Sequence, residues 1–149
     1  MNAQNALQLR ENLGIVEEAW INCVNKRKSH EFLKLHSEEV IMYDPTLPEP
    51  LRGRKALDSW FMGLFKMFPD YQVEKERIFA QEDWVCLESI ESGTLKGAII
   101  GPSGQTVPPT DKAFRIRSCT VCNVQHGKIR EVRVYYDVMT LLTQLGLQS

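Results

Sequence analysis

Long apolar runs are missing from this chain. None approaches the roughly 20 residues that a membrane-spanning helix needs, and no charged segment followed by an apolar stretch marks a secretion signal. The expectation is a cytoplasmic protein without membrane contact. Excess charge of one sign is missing as well: 18 Lys and Arg stand against 19 Asp and Glu, a net of −1 over 149 residues. No long-range field therefore draws nucleic acid or anionic lipid. The basic clusters at Asn25-Lys26-Arg27-Lys28 and at Arg115 and Arg117 are short and read as solvated surface. The G-x-S-x-G elbow, the Walker loop, the dinucleotide fingerprint and H-E-x-x-H are all absent, so no nucleotide, flavin or metal cofactor is expected.

Cysteine is sparse. Cys119 and Cys122 form a C-x-x-C, but they lie in a strand-like run from Phe114 to Val124. Residues three apart on a strand point to opposite faces, so the two thiols diverge. No second C-x-x-C and no histidine pair completes a zinc set. Four free thiols in a reducing compartment are expected, with no metal site.

What is present is ordinary in bulk and informative in order. A hydrophobic content of 43% and a charged content of 25% suit one globular domain over residues 1–149. Leu9, Leu13, Val16, Trp20 and Val24 recur every three or four residues, which predicts an amphipathic helix over 5–26. A short helix follows, with Ser29 as a candidate N-cap. Residues 40–43 favour a strand. Prolines at 45, 48 and 50 then stiffen a loop that holds a fixed shape at the mouth of something. A helix over 54–68 places Leu57, Trp60, Phe61 and Leu64 on its buried side, and Pro69 stops it.

After Pro69 the period changes to two. Residues 71–80, 84–96, 112–125 and 128–138 read as strands, with reversals at Gln81-Glu82-Asp83 and at His126-Gly127. The segment 97–111 is the longest irregular one and a candidate lid; a terminal helix is predicted over 140–147. Helices first and antiparallel strands after define an α+β domain. The expected form is a curved antiparallel sheet bent into a cone, its concave side covered by the N-terminal helices.

Face assignment selects the candidate site. Charge gathers on the odd residues of 115–123 and 129–137, so the even residues should look inward. That places Ser118, Thr120, Val134 and Tyr136 in the hollow as ligand contacts, with Trp20 and Trp60 as aromatic walls or plain core. If 84–92 follows the same parity, Glu88 is a lone carboxyl among apolar neighbours, able to act as an acid or base. The competing reading of Glu88 is a surface ion pair. Tyr43 and Tyr136 would each donate a hydrogen bond to a ligand carbonyl or only pack. His36 reads as a packed or capping histidine, Asp44 as a turn former, and Asp137 as the cap of the last helix.

These pieces in order resemble the SnoaL-like polyketide cyclases, within the nuclear-transport-factor-two-like fold. The resemblance is carried by Tyr43-Asp44-Pro45 with Pro48 and Gly53-Arg54, by Phe68-Pro69-Asp70, by Val107-Pro108-Pro109-Thr110, and by His126-Gly127-Lys128-Ile129. Tyr135-Tyr136-Asp137 and the stretch Leu141 to Gly146 complete it. It implies a cone-shaped cavity for a small, largely apolar molecule, and a homodimer through the outer sheet face; a separate expectation is a subunit of a larger assembly that uses that face, with Cys119, Val121 and Tyr135 as apolar contacts. Characterised cyclases of the family deprotonate carbon beside a carbonyl with a carboxylate on the last long strand, faced by a histidine; those positions fall on Val134 and Thr120 here. The related limonene epoxide hydrolases use an inward arginine and two aspartates, which fall on Ile90, Ser92 and Val134, and a tyrosine that falls on Tyr43. Two functions follow as expectations: a cofactor-independent isomerase or cyclase for a small hydrophobic carbonyl compound, with Glu88 and Tyr43 catalytic, or a non-catalytic binder of a small ligand.

Overall fold

The change of period at Pro69 is where the backbone changes character. The computed structural model describes residues 2–101 and 103–147. In chain order it has α1 (Ala3–Glu17), a π-helical continuation (Glu18–Cys23), α2 (Ser29–Lys34), β1 (His36–Tyr43), β2 (Leu51–Arg52) and α3 (Arg54–Met67). There follow β3 (Gln72–Gln81), β4 (Trp84–Thr94), β5 (Ile99–Ile100), β6 (Thr106–Val107), β7 (Ala113–Gln125), β8 (Lys128–Tyr135) and α4 (Val138–Gln144). The α+β class read from the sequence is the one observed.

Six strands form the main sheet in the order β2-β1-β8-β7-β4-β3. All neighbours are antiparallel except β1 and β8, which run parallel. This departs from the purely antiparallel sheet expected. The two strands are separated by most of the chain, long enough for the crossover a parallel pair requires. The predicted irregular segment 97–111 instead holds the small hairpin β5-β6, whose two-residue strands are too short to show a period; Pro102 within it lies outside the described residues.

Local chemistry sets the boundaries. His126 (φ 53°) and Gly127 (φ 73°) both take the left-handed region, as a two-residue hairpin turn requires. Gly53 has φ 89° and opens α3, its N–H bonded to the Val40 carbonyl at 2.7 Å; a side chain there would be strained. The first residue of α2 is Ser29, with Lys28 rather than Ser29 at the cap position and no side-chain cap bond. Asp137 caps α4 by accepting from the Thr140 N–H at 3.2 Å, as its place at a strand-to-helix junction implied.

The helices cover one face of the sheet. Phe32 of α2 and Leu57 and Phe61 of α3 are almost fully buried against Val40, Met42 and Leu87. The predicted stripe of α1 is real from Leu13 onward, with Leu13 half-buried against the core, but in its earlier turns the fully buried residue is Asn12 rather than Leu9. Inside the π-helical turn Trp20 donates from Nε1 to His36 Nε2 at 3.1 Å, and His36 Nδ1 lies 2.7 Å from the Phe32 carbonyl. That network needs a neutral ring protonated on Nδ1. Burial pushes the His36 pKa down to about 4, helped by Arg54 and opposed by the bond to Phe32. His36 is thus the packed histidine the sequence suggested.

Candidate functional site

Strand pairing decides which side chains face the helices. On β7 the even residues Phe114, Ile116, Ser118, Thr120, Cys122 and Val124 are buried, and on β8 Val132 and Val134 are buried. The inward facing expected of Ser118, Thr120 and Val134 is observed. Cys119 and Cys122 do diverge, the first half-exposed and the second buried.

β4 obeys the opposite parity. Its ladder with β7 pairs Trp84 with Asn123, Leu87 with Thr120, Ser89 with Ser118 and Glu91 with Ile116. Directly opposed residues share a face, so every inward even residue of β7 meets an odd residue of β4. Val85, Leu87 and Ser89 are buried accordingly. Glu88 therefore sits on the outer face, opposite Cys119, where the Arg77 guanidinium closes on its carboxylate. The expectation that Glu88 lines the hollow is corrected. For the same reason Ile90 and Ser92, matched by resemblance to inward groups, face outward; Ser89 and Glu91 are the inward residues.

Tyr43 is corrected as well. It is 37% exposed, on the face opposite the buried Met42, with the Arg133 guanidinium 4.7 Å above its ring. Trp20 is core, committed to His36, and Trp60 is half-buried with its ring 5.6 Å from that of Trp20. Tyr136 is half-buried and donates its hydroxyl to Asp44 Oδ1 at 3.0 Å. Asp44 also accepts from Thr46 N at 2.9 Å and Thr46 Oγ1 at 2.6 Å. It closes the turn at the end of β1, as its place before Pro45 implied.

The inward carboxyl is Glu91. It accepts the phenolic hydrogen of Tyr71, whose ring is buried among Phe65, Phe68 and Phe114. Burial raises the Glu91 pKa. The Tyr71 and Ser118 hydroxyls pull it back in part, and the charge of Asp44 raises it further. Among the described residues it makes no ion pair, and its hydrogen-bond donor is the Tyr71 phenol. Burial and the neighbouring Glu91 hold the Tyr71 phenol well above its usual range, and burial and Asp44 do the same for Tyr136. Both phenols stay protonated. Ser118 Oγ is buried without a well-formed hydrogen bond, as is the side-chain nitrogen of Asn12 on α1. Such groups are rare in native interiors, and the Ser118 hydroxyl lies close enough to Glu91 to favour its charged form.

Glu91, Tyr71, Ser118, Tyr136 and Asp44 thus form one polar cluster on a largely apolar face that also carries the buried Ser89 and Thr120. Sequence reading missed Glu91 and Tyr71 as members. Local pattern offered no signal for them: Val85 and Leu87 make the odd face of β4 apolar, but Trp84, Cys86 and Ile90 do the same for the even one. Two surface grooves, of about 740 and 190 Å³, lie beside this cluster, and of its members only Ser118 borders one, the smaller. The larger is lined by residues such as Ile41, Arg52, Trp84 and Arg130, the smaller by Glu76, Glu88, Arg117 and Tyr135 among others. Glu91, Tyr71 and Tyr136 line neither, yet Glu91 keeps some accessible surface. Among the described residues no group of three or more His, Cys, Asp or Glu is placed to hold a metal ion, and no helix is long and apolar enough to cross a membrane.

A helix-covered curved sheet with a polar cluster on its concave side is the nuclear-transport-factor-two-like architecture. Within it, the chain belongs to the SnoaL-like polyketide cyclase family, whose model matches residues 14–145. No curated protein matches the chain. A SnoaL-like polyketide cyclase described as putative, from Jannaschia sp. CCS1, superposes with a TM-score of 0.80 at 17% identity, over 95% of each chain. AclR from Streptomyces galilaeus, described as a putative hydroxylase, gives 0.77 at 23% identity over 95% of this chain and 88% of that one. An LEH-like epoxide hydrolase from M. tuberculosis gives 0.70 at 17% identity over 93% and 91%. At these identities the likeness is one of fold.

Proposed function

We propose that the protein is a cofactor-independent isomerase or cyclase for a small hydrophobic carbonyl compound, with Glu91 as its acid and base. The carrying observation is a carboxyl set on the inner sheet face and held by a buried phenol, without an ion pair among the described residues. A carboxylate desolvated in this way is a stronger base than one in water. It takes the proton from the carbon beside the ligand carbonyl; the C–H electron pair moves into the carbon–carbon bond and the carbonyl pair onto oxygen. The donors at hand for that oxygen are the Ser118 hydroxyl and the phenol of Tyr136, turned from Asp44. Returning the proton to another carbon completes an isomerisation; attack of the enolate carbon on a second carbonyl closes a ring. Thr120, Val134 and Trp60 would supply apolar contact.

The family resemblance supports this reading once the β4 register is corrected. The inward carboxylate that the resemblance matched to Ser92 then falls on Glu91, while the arginine position falls on Ser89, so the acid remains without its cation. The test is proton exchange: incubate candidate ketones in deuterated water with the protein and with Glu91→Gln. Deuterium entering beside the carbonyl with the native protein alone supports the reading.

Val134, where the family's cyclases carry their acid, favours the second reading, a binder that leaves its ligand unchanged. A ligand recovered intact and unlabelled from the same incubation selects it. We also propose a homodimer through the outer sheet face, supported by Tyr43, Phe79, Trp84 and Tyr135, each 37% exposed or more.

A further inference from the structure

Cys86 and Cys119 stand outside the site already described, on the convex face of the two strands that build it. Cys86 opposes Val121 and Cys119 opposes Glu88 in the β4–β7 ladder, so the two thiols are diagonal neighbours on one face. Their Sγ atoms are 3.3 Å apart, and both residues are half-exposed. Cys23 and Cys122 are fully buried and belong to the core. We propose that Cys86 and Cys119 are a redox modification site, a dithiol that hydroperoxides convert to a reversible cross-strand disulfide.

Cys119 borders the smaller surface groove, with Glu76, Glu88, Arg117 and Tyr135 around it, so it meets the oxidant first. Burial and the neighbouring sulfur raise the Cys86 pKa, so Cys86 gives up its proton as it attacks and the second step is the slower one. In the first step the Cys119 sulfur attacks one peroxide oxygen and the O–O bond breaks. The products are a sulfenic acid and one water or alcohol. In the second, the Cys86 sulfur displaces the sulfenic hydroxyl as water and the S–S bond forms. The two thiols lose two electrons and two protons; the peroxide gains both.

The sulfurs must close from 3.3 Å to about 2.0 Å. Side-chain rotation can supply that closure on β4 and β7, the strands that carry Glu91 and Ser118 on their other face. A bond left accessible at the sheet surface is open to attack by an external thiol, so the modification is reversible. The inference is independent of which reaction the inner face performs.

The test uses the full chain, reduced and kept dilute so that self-association does not shield the sheet. It is treated with a few-fold excess of hydrogen peroxide, blocked with N-ethylmaleimide, digested and mapped by mass spectrometry. The expected result is one peptide joining Cys86 to Cys119, lost on treatment with dithiothreitol, while Cys23 and Cys122 react with maleimide only after denaturation. Cys86→Ser should leave a sulfenic acid on Cys119 that a dimedone probe traps; the native map stands without it should that variant misfold. Cys86 and Cys119 recovered as separate alkylated peptides, or Cys119 oxidised beyond sulfenic acid with Cys86 untouched, overturns the proposal.

Discussion

Tyr71 donates its phenolic hydrogen to the carboxylate of Glu91, joining the first residue after the Phe68-Pro69-Asp70 helix stop to the middle of β4. The bond stabilises the charged form of Glu91 in a place where burial disfavours it. Tyr71 therefore sets how basic Glu91 is. Tyr71→Phe removes the opposing influence, so the acid limb of the pH–rate profile should move to higher pH while the ligand still binds. An unmoved limb would separate Tyr71 from the proton transfer.

Glu91 also has a stability signature. Its folded pKa lies above its unfolded one, so the native state holds the proton more tightly. The resulting stability is full below the unfolded pKa and is lost as pH rises through the folded one. At neutral pH the ionised carboxylate, without an ion pair among the described residues, is a net cost. Glu91→Gln should raise the melting temperature at pH 7 by a few degrees, about 2–4 °C for each kcal/mol in a chain of this size, and less at pH 4. Calorimetry at the two pH values reads this directly.

His36 works in the other direction. With a folded pKa of about 4 against about 6.5 unfolded, its contribution is full above pH 6.5 and is lost as pH falls to 4. The complete loss is of order 3 kcal/mol. Urea melts from pH 7 to 4 should show the decline, and a variant with Leu at position 36 should lose that pH slope while being less stable at pH 7.

Glu88 offers the contrast. Its partner Arg77 is largely exposed, and Glu88 itself lies on the outer face. Such pairs contribute about 0–1 kcal/mol. Glu88→Gln should leave both melting temperature and ligand turnover close to native; a large loss of turnover would return the acid role to Glu88.

The outer face supplies a test of assembly. Trp84 (39% exposed) and Tyr135 (54% exposed) are large apolar groups open to solvent. Light scattering at micromolar concentration should give a dimer for the native chain and a monomer for Tyr135→Glu with Trp84→Glu. A native monomer at that concentration removes the dimer.

Helix order, the four long strands and both reversals were legible because period, proline and turn residues act locally; the last helix, expected over 140–147, lies at Val138–Gln144. The facing of β7 and β8 was legible from charge gathered on their odd residues. β4 was not, because Trp84, Cys86 and Ile90 make its outer face as apolar by composition as Val85 and Leu87 make its inner one. Only the ladder to β7, a non-local fact, fixes the choice, and it moves the inward acid from Glu88 to Glu91. Tyr43 failed for a related reason: β1 is set by its parallel partner β8, which buries Val40 and Met42 and turns Tyr43 out. The β5-β6 hairpin is too short for any period to reveal.

The most direct measurement is solvent-proton exchange at the carbon beside a bound ligand's carbonyl, followed by mass or NMR spectroscopy with native protein and with Glu91→Gln. The native protein should introduce deuterium, and the variant should do so about 10²- to 10⁴-fold more slowly while binding the ligand within a few-fold of native. Equal exchange in the two proteins would contradict a proton-transfer role for Glu91.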